Sequence, residues 1–137
     1  MRRRPRRSTR RAALAVVVLA ATFTGAPRAA TAADAVAVHD YLLSCGGCHE
    51  LDGSGSTRVP SLRGIDRLLA RPGGRAYVLR VPGVTNAPLS DARLAALLDW
   101  IFVNFGNDAD TRFTAAEVAA GRAAPFVDPK AARAALE

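Results

Sequence analysis

Five consecutive residues, Cys45-Gly46-Gly47-Cys48-His49, constrain this chain more than any other stretch. Their C-x-x-C-H spacing is that of a covalent haem attachment site. Two thiols three positions apart at a helix end point to one side, so each reaches one vinyl group of a tetrapyrrole. The imidazole that follows Cys48 sits under the iron and offers a ring nitrogen as proximal ligand. Gly46 and Gly47 carry no side chains, which lets a macrocycle lie close to the backbone.

Three other uses of these residues compete. A redox-active C-x-x-C pair belongs beside a βαβ pattern, and the chain shows no convincing strand alternation. A structural zinc site takes about four ligands, and the only other histidine is His39. A short disulfide would leave His49 without a role. The expected cofactor is therefore one covalent haem c, with both cysteines committed to it and none left for a disulfide.

The N-terminus supports that chemistry. Arg2, Arg3, Arg4, Arg6, Arg7, Arg10 and Arg11 precede an apolar run from Ala12 to Phe23, and Ala30-Thr31-Ala32 forms an A-x-A cleavage site. This is the pattern of a secretory signal peptide, expected over residues 1–32. The run is short for a membrane span and is ended by Gly25, Pro27 and Arg28, so no membrane association is expected after cleavage. Arg10-Arg11 also fits twin-arginine export, although haem attachment outside the cytoplasm favours the general route for an unfolded chain. Either route leads to the periplasm.

Removing the signal changes the charge. Eight of the 19 Lys and Arg residues precede the cleavage site and all 12 acidic residues follow it, leaving 11 positive against 12 negative charges, a net of −1. The basicity of the whole chain is thus a targeting feature, and nucleic-acid binding loses its main support. The remaining chain of about 105 residues suits one small domain whose modest core a porphyrin would enlarge.

Periodicity predicts an all-α protein. Val38, Tyr41, Leu42 and Cys45 fall at helical spacing, with Asp34 as the expected N-cap. Glu50 to Ser56 is a polar, glycine-bearing loop, and Val59 to Gly64 a turn with two inward apolar residues. Short helices are expected over 65–70 and 75–81, and a loop over 84–89. Ser90 caps the strongest helix, to about Val103, with Leu94, Leu97, Leu98, Ile101 and Phe105 as its stripe. Beyond it, residues 106–137 form an extension with short helices. One starts at the Thr114–Glu117 capping box and runs to about Ala120; the other opens at Asp128-Pro129. The extension is expected to be mainly solvated surface.

With these residues in place, the chain resembles the class I monohaem cytochromes c over residues 37–103, within an expected domain of 33–105. Tyr41 matches the aromatic of the family's first helix, and Ala37 stands where the family usually has glycine. Pro60 and Leu62 resemble its Pro-x-Leu turn, in which the proline carbonyl accepts the N–H of the proximal histidine, here His49. Ser90 to Val103 resembles the C-terminal helix that crosses the first, with Trp100 in the aromatic contact. The resemblance implies a small cytochrome c-type helical fold around one haem.

One departure stands out. The family's usual distal ligand is a methionine before the last helix, and the only methionine here is Met1. Asn86 or Ala87 lies near the expected position, and Asn86 is the candidate to face the iron, directly or through water. His39 lies about 9 Å along the helix from Cys45, pointing away; Tyr77 and Lys130 are remoter candidates.

The resulting expectation is an electron carrier, not an enzyme. It would pass single electrons from a periplasmic dehydrogenase to a cytochrome or oxidase, as a monomer that docks transiently. Gly46, Gly47 and Gly53–Gly55 are the expected exposed docking rim. Two alternatives follow from the missing methionine and from the extension. The first is an open distal site that binds a small gas or peroxide, although no acid–base group precedes Asp91 in the distal loop to make it an efficient peroxidase. The second is a haem subunit of a larger dehydrogenase complex, docked through the segment from Gly106.

Overall fold

The computed structural model describes residues 31–136, and among them every regular element is helical. In chain order these are α1 (Ala32–Ser44), α2 (Gly46–His49), one 3₁₀ turn (Ile65–Leu68), α3 (Gly74–Arg80), α4 (Pro82–Thr85), α5 (Asp91–Phe105), α6 (Ala115–Arg122) and α7 (Pro129–Ala134). None of the described helices is long and apolar enough to cross a membrane. The expected signal sequence lies, up to residue 30, outside the described residues.

α1 begins earlier than its periodicity suggests. Thr31, not Asp34, is the N-cap: its hydroxyl accepts from the Asp34 N–H at 3.1 Å, and Asp34 returns a carboxylate oxygen to the Thr31 N–H at 2.8 Å. That capping box satisfies two end donors at once, which extends the helix by a turn. Cleavage after Ala32 would remove this cap.

α1 and α5 pack together, joined by an aromatic cluster. The Tyr41 ring lies 5.5 Å from Trp100 and 5.3 Å from Phe105, and Trp100 meets Phe105 edge-on at 5.5 Å. Ala37 is buried one turn before Tyr41. Between them, Asp40 is only 2% exposed and takes a two-pronged ion pair from Arg93 of α5, with Nε to Oδ2 at 3.0 Å and Nη2 to Oδ1. A carboxylate inside a buried stripe must be paired to stay charged, and Arg93 supplies the partner from 53 residues away.

Most residues of the extension are exposed, as expected, but a small buried face anchors it to the domain. Phe113, Val118 and Gly121 are buried, Phe113 stacks on Phe102 at 5.2 Å, and α6 packs on both α5 and α3. A Cβ at Gly121 would lie 2.4 Å from the Leu79 carbonyl, so glycine is what lets α6 approach α3 this closely. Arg75 forks onto Glu117 at 2.7 and 3.1 Å and lies over the Phe113 ring at 4.3 Å. Arg122 bonds Asp91 at 2.7 Å and the carbonyls of Ala87 and Leu89 at 2.8 Å, tying α6 to the entry of α5. Phe113 and Val118 of the tail and the ion pairs of Glu117 and Arg122 are therefore spent within the chain, while Val127 is fully exposed.

Candidate functional site

Cys45 closes α1, and α2 carries Cys48 and His49 on a single turn, with the Cys48 and His49 amides donating to the Cys45 carbonyl at 3.1 and 2.9 Å. Directly after it, Glu50 takes φ 56° and ψ 165°, a backbone conformation strained for any residue with a Cβ. The Tyr41 hydroxyl donates to the Glu50 carbonyl at 2.6 Å and so secures that turn. Burial, aided by the nearby Cys45, Asp52 and Glu50, pushes the phenol up to about 12.

The chain then loops back under His49. Leu62 N–H donates to Gly53 O at 2.8 Å, Ser61 Oγ to the same carbonyl at 3.1 Å, and Ser56 N–H to Val59 O at 2.8 Å. These bonds bracket Pro60, whose carbonyl lies 3.0 Å from His49 Nδ1. A carbonyl only accepts, so the hydrogen sits on Nδ1 and Nε2 keeps its lone pair. Burial lowers the pKa of His49 and the bond to Pro60 opposes it in part, so the neutral ring is favoured relative to a free imidazole.

Cys45, Cys48, His49, Pro60 and Leu62 all line one cavity of about 320 Å³, within the ~300–1,000 Å³ typical of cofactor and ligand sites. Its wall is completed mainly by aliphatic side chains, among them Leu68, Val78, Val84, Leu94, Leu98 and Ile101. The α5 stripe thus serves both the core and the cavity. Among the described residues no Asp or Glu lines it, whereas Arg58 and Arg133 do. A second, polar depression near Asp52, Arg67 and Asn107 contains none of the expected site residues.

Asn86 is not on the cavity wall. Pro82 at the first helical position winds 82–85 into α4, and Asn86 becomes its C-cap, its N–H donating to Pro82 O at 3.0 Å. Residues expected as an open loop therefore coil, and the wall in this region is Val81, Pro82, Gly83 and Val84 instead. Ala87 is buried with its carbonyl held by Arg122, His39 projects into solvent beside Asp40, and Lys130 is off the wall. Tyr77 is on it, buried and stacked on Phe126 at 5.8 Å.

The glycines divide in an unexpected way. Gly46 and Gly53 are buried, so they form no exposed rim. A Cβ on Gly53 would press into the Phe105 ring at 2.9 Å, while Gly47 is exposed with nothing within 4 Å.

The competing uses of the cysteines can be set against this geometry. Burial, followed by the nearby Cys48, pushes the Cys45 thiol up to about 11, the opposite of an activated thiolate. Among the described residues, no group of three or more His, Cys, Asp or Glu is placed to hold a metal ion. Two thiols and an imidazole instead share one largely apolar cavity, an arrangement that covalent attachment of a tetrapyrrole would require. Asp40, Arg93, Arg122 and Arg133 were missed by local pattern; only Asp40, lodged between Ala37 and Tyr41, carried a signal in its position. No family model matches the chain, and no curated protein matches it.

Proposed function

We propose that this chain is a periplasmic monohaem c-type cytochrome of the cytochrome c fold, carrying single electrons between a dehydrogenase and a downstream acceptor. The observation that carries the reading is the His49 Nδ1 to Pro60 O bond at 3.0 Å on the wall of the cavity that Cys45 and Cys48 also line. Cys45 and Cys48 would hold a haem covalently through their sulfurs at the start and middle of the α2 turn. His49 offers Nε2 to the metal, and Pro60 holds the ring against rotation. When bound, the haem supplies the one-electron couple. Leu62, Leu94, Leu98 and Ile101 exclude water from the cavity and so bias that couple.

The test is expression of the full chain in a host that matures c-type cytochromes. A product whose colour survives denaturation, with a mass raised by one haem and no free thiol, is expected. A colourless protein with two titratable thiols overturns the reading, and Cys45→Ser with Cys48→Ser must abolish attachment.

One observation favours a second use of the same site. Val81, Pro82, Gly83 and Val84 offer no side-chain donor atom, and His49 is the only imidazole on the cavity wall. A small gas ligand would then have access to the iron. Reduced protein is expected to shift its absorption spectrum on adding CO; a spectrum insensitive to CO rejects this use and leaves electron transfer.

A further inference from the structure

The segment after α6 returns to the cavity by way of α3. Phe126 meets two α3 residues one turn apart, the Tyr77 ring at 5.8 Å and the Arg80 guanidinium at 4.1 Å. Its N–H donates to Arg80 O at 3.0 Å, and Arg80 Nε donates to Ala124 O. Asp128 then caps α7, its Oδ1 accepting from Ala131 N–H at 2.9 Å. Pro129 and Arg133 of α7 line the same cavity as Cys45, Cys48 and His49. Leu136 ends beside Gly73, the N-cap of α3, where a Cβ would meet its Cδ2 at 3.7 Å. The segment is therefore laid antiparallel to α3, from Arg80 back to Gly73, and forms part of the cavity wall.

The parts of that wall are held unequally. Gly121 of α6 presses on the Leu79 carbonyl and Arg122 ties α6 to Asp91, so α3 and α5 cannot separate without uncovering the core. Beyond α6, residues 123–125, 127, 128, 130 and 131 are exposed, and Phe126, Pro129 and Arg133 are only partly buried. Sparse burial of this kind marks the part of a fold that opens locally. A helix of 6 residues has no stability of its own in water, so α7 unwinds when it lifts. We infer that α7 is a lid on this cavity, latched to α3 by Phe126, and that its local opening is the path by which a small apolar gas enters. The inference rests on the open-site reading above and goes beyond it by naming the gate.

The experiment measures CO association with the reduced holoprotein by rapid mixing, together with hydrogen exchange of the Ala132 and Ala135 amides, which bond within α7. When opening is rare and fast, both rates scale with the open population. Phe126→Ala removes a ring stack and a cation–π contact, so it is expected to raise both rates about tenfold while the amides of α5 keep the parent rate. Phe126→Tyr keeps the ring, and Val127→Ala alters a fully exposed side chain of the same segment; both are expected to stay within about twofold of the parent. Faster α7 exchange with unchanged CO association means that α7 frays without gating the cavity, and overturns the inference. A parallel rise in α5 exchange means general loosening, and also overturns it. A coloured parent insensitive to CO overturns the open-site reading and this inference with it, leaving electron transfer. A colourless parent overturns the haem reading and everything that rests on it.

Discussion

Gly55→Ala is the sharpest test of how His49 is held. Gly55 has φ +76°, and a Cβ there would lie 2.5 Å from the Val59 carbonyl oxygen and 2.8 Å from that of Pro60. The first is the acceptor that closes the loop with Ser56; the second is the acceptor of His49 Nδ1. Alanine in the left-handed region costs about 1–2 kcal/mol. Both neighbours are backbone and cannot swing aside, so relieving the clash adds about 1–3 kcal/mol of loop displacement. A total of about 2–5 kcal/mol corresponds to a fall in Tm on the order of 10–25 °C for a domain of this size.

The assay pairs a thermal melt with NMR of the His49 ring. The variant is expected to lose the slowly exchanging Nδ1–H that the bond to Pro60 protects. Gly47→Ala is the control, since nothing lies within 4 Å of its Cβ and helix propensity favours the change by up to about 1 kcal/mol. If Gly55→Ala melts with the parent and retains the protected proton, Pro60 does not depend on a glycine at 55 and the account of the loop is wrong.

Other substitutions probe the supports around the site. Arg93→Ala strands Asp40 at 2% exposure; breaking a buried pair costs ~3–5 kcal/mol, reduced here to ~2–3 because Arg93 is half exposed, and urea titration reads it. Asp40→Leu combined with Arg93→Met should recover most of that loss. Tyr41→Phe removes the bond to the Glu50 carbonyl and should lower stability by ~1–2 kcal/mol, whereas Glu50→Gly relieves its positive φ and should raise stability by ~1 kcal/mol. The Arg75 hydrogen bond, with those from Thr114, holds the Glu117 carboxyl at about 2, down from 4.5. A depressed folded pKa contributes stability above the unfolded value that is lost as pH falls. About 1–2 kcal/mol, discounted for partial exposure, should therefore disappear between pH 5 and 2, and Glu117→Gln should flatten that slope.

How much was legible in the sequence depended on the range of the forces involved. α5 was readable because its apolar stripe is dense and Ser90 caps it within one turn; the structure carries it two residues further, to Phe105. The Cys45–His49 cluster was readable because its spacing is itself the chemistry. The start of α1 was misplaced because two caps compete locally, and Thr31 wins by closing a reciprocal box with Asp34. Asn86 lies off the cavity wall because Pro82 initiates a helical turn that local pattern does not show. The anchoring of the extension through Phe113, Val118 and Gly121 was invisible locally. It rests on Gly121 meeting the Leu79 carbonyl and on ion pairs spanning 42 and 31 residues, and alanine-rich helices show no strong stripe.

These long-range ties bear on why so short a chain presents so large a cavity. At about 24 cal/mol per Å³, filling about 320 Å³ with well-packed apolar matter is worth up to ~8 kcal/mol, comparable with the whole stability of a small domain. The aliphatic wall contributed by α3, α4 and α5 therefore needs a scaffold that holds its shape independently. The aromatic packing of α1 on α5 fixes one flank, while Arg75 and Arg122 fix α6 against the other. Both sets of contacts lie outside the cavity and are complete without any occupant. An apolar group entering between them meets walls already in position, so its burial energy is spent little on reorganising the chain. This division of labour explains why the polar pairs cluster behind the helices while the cavity wall stays aliphatic except at His49, Tyr77, a few hydroxyl and thiol groups and two arginines.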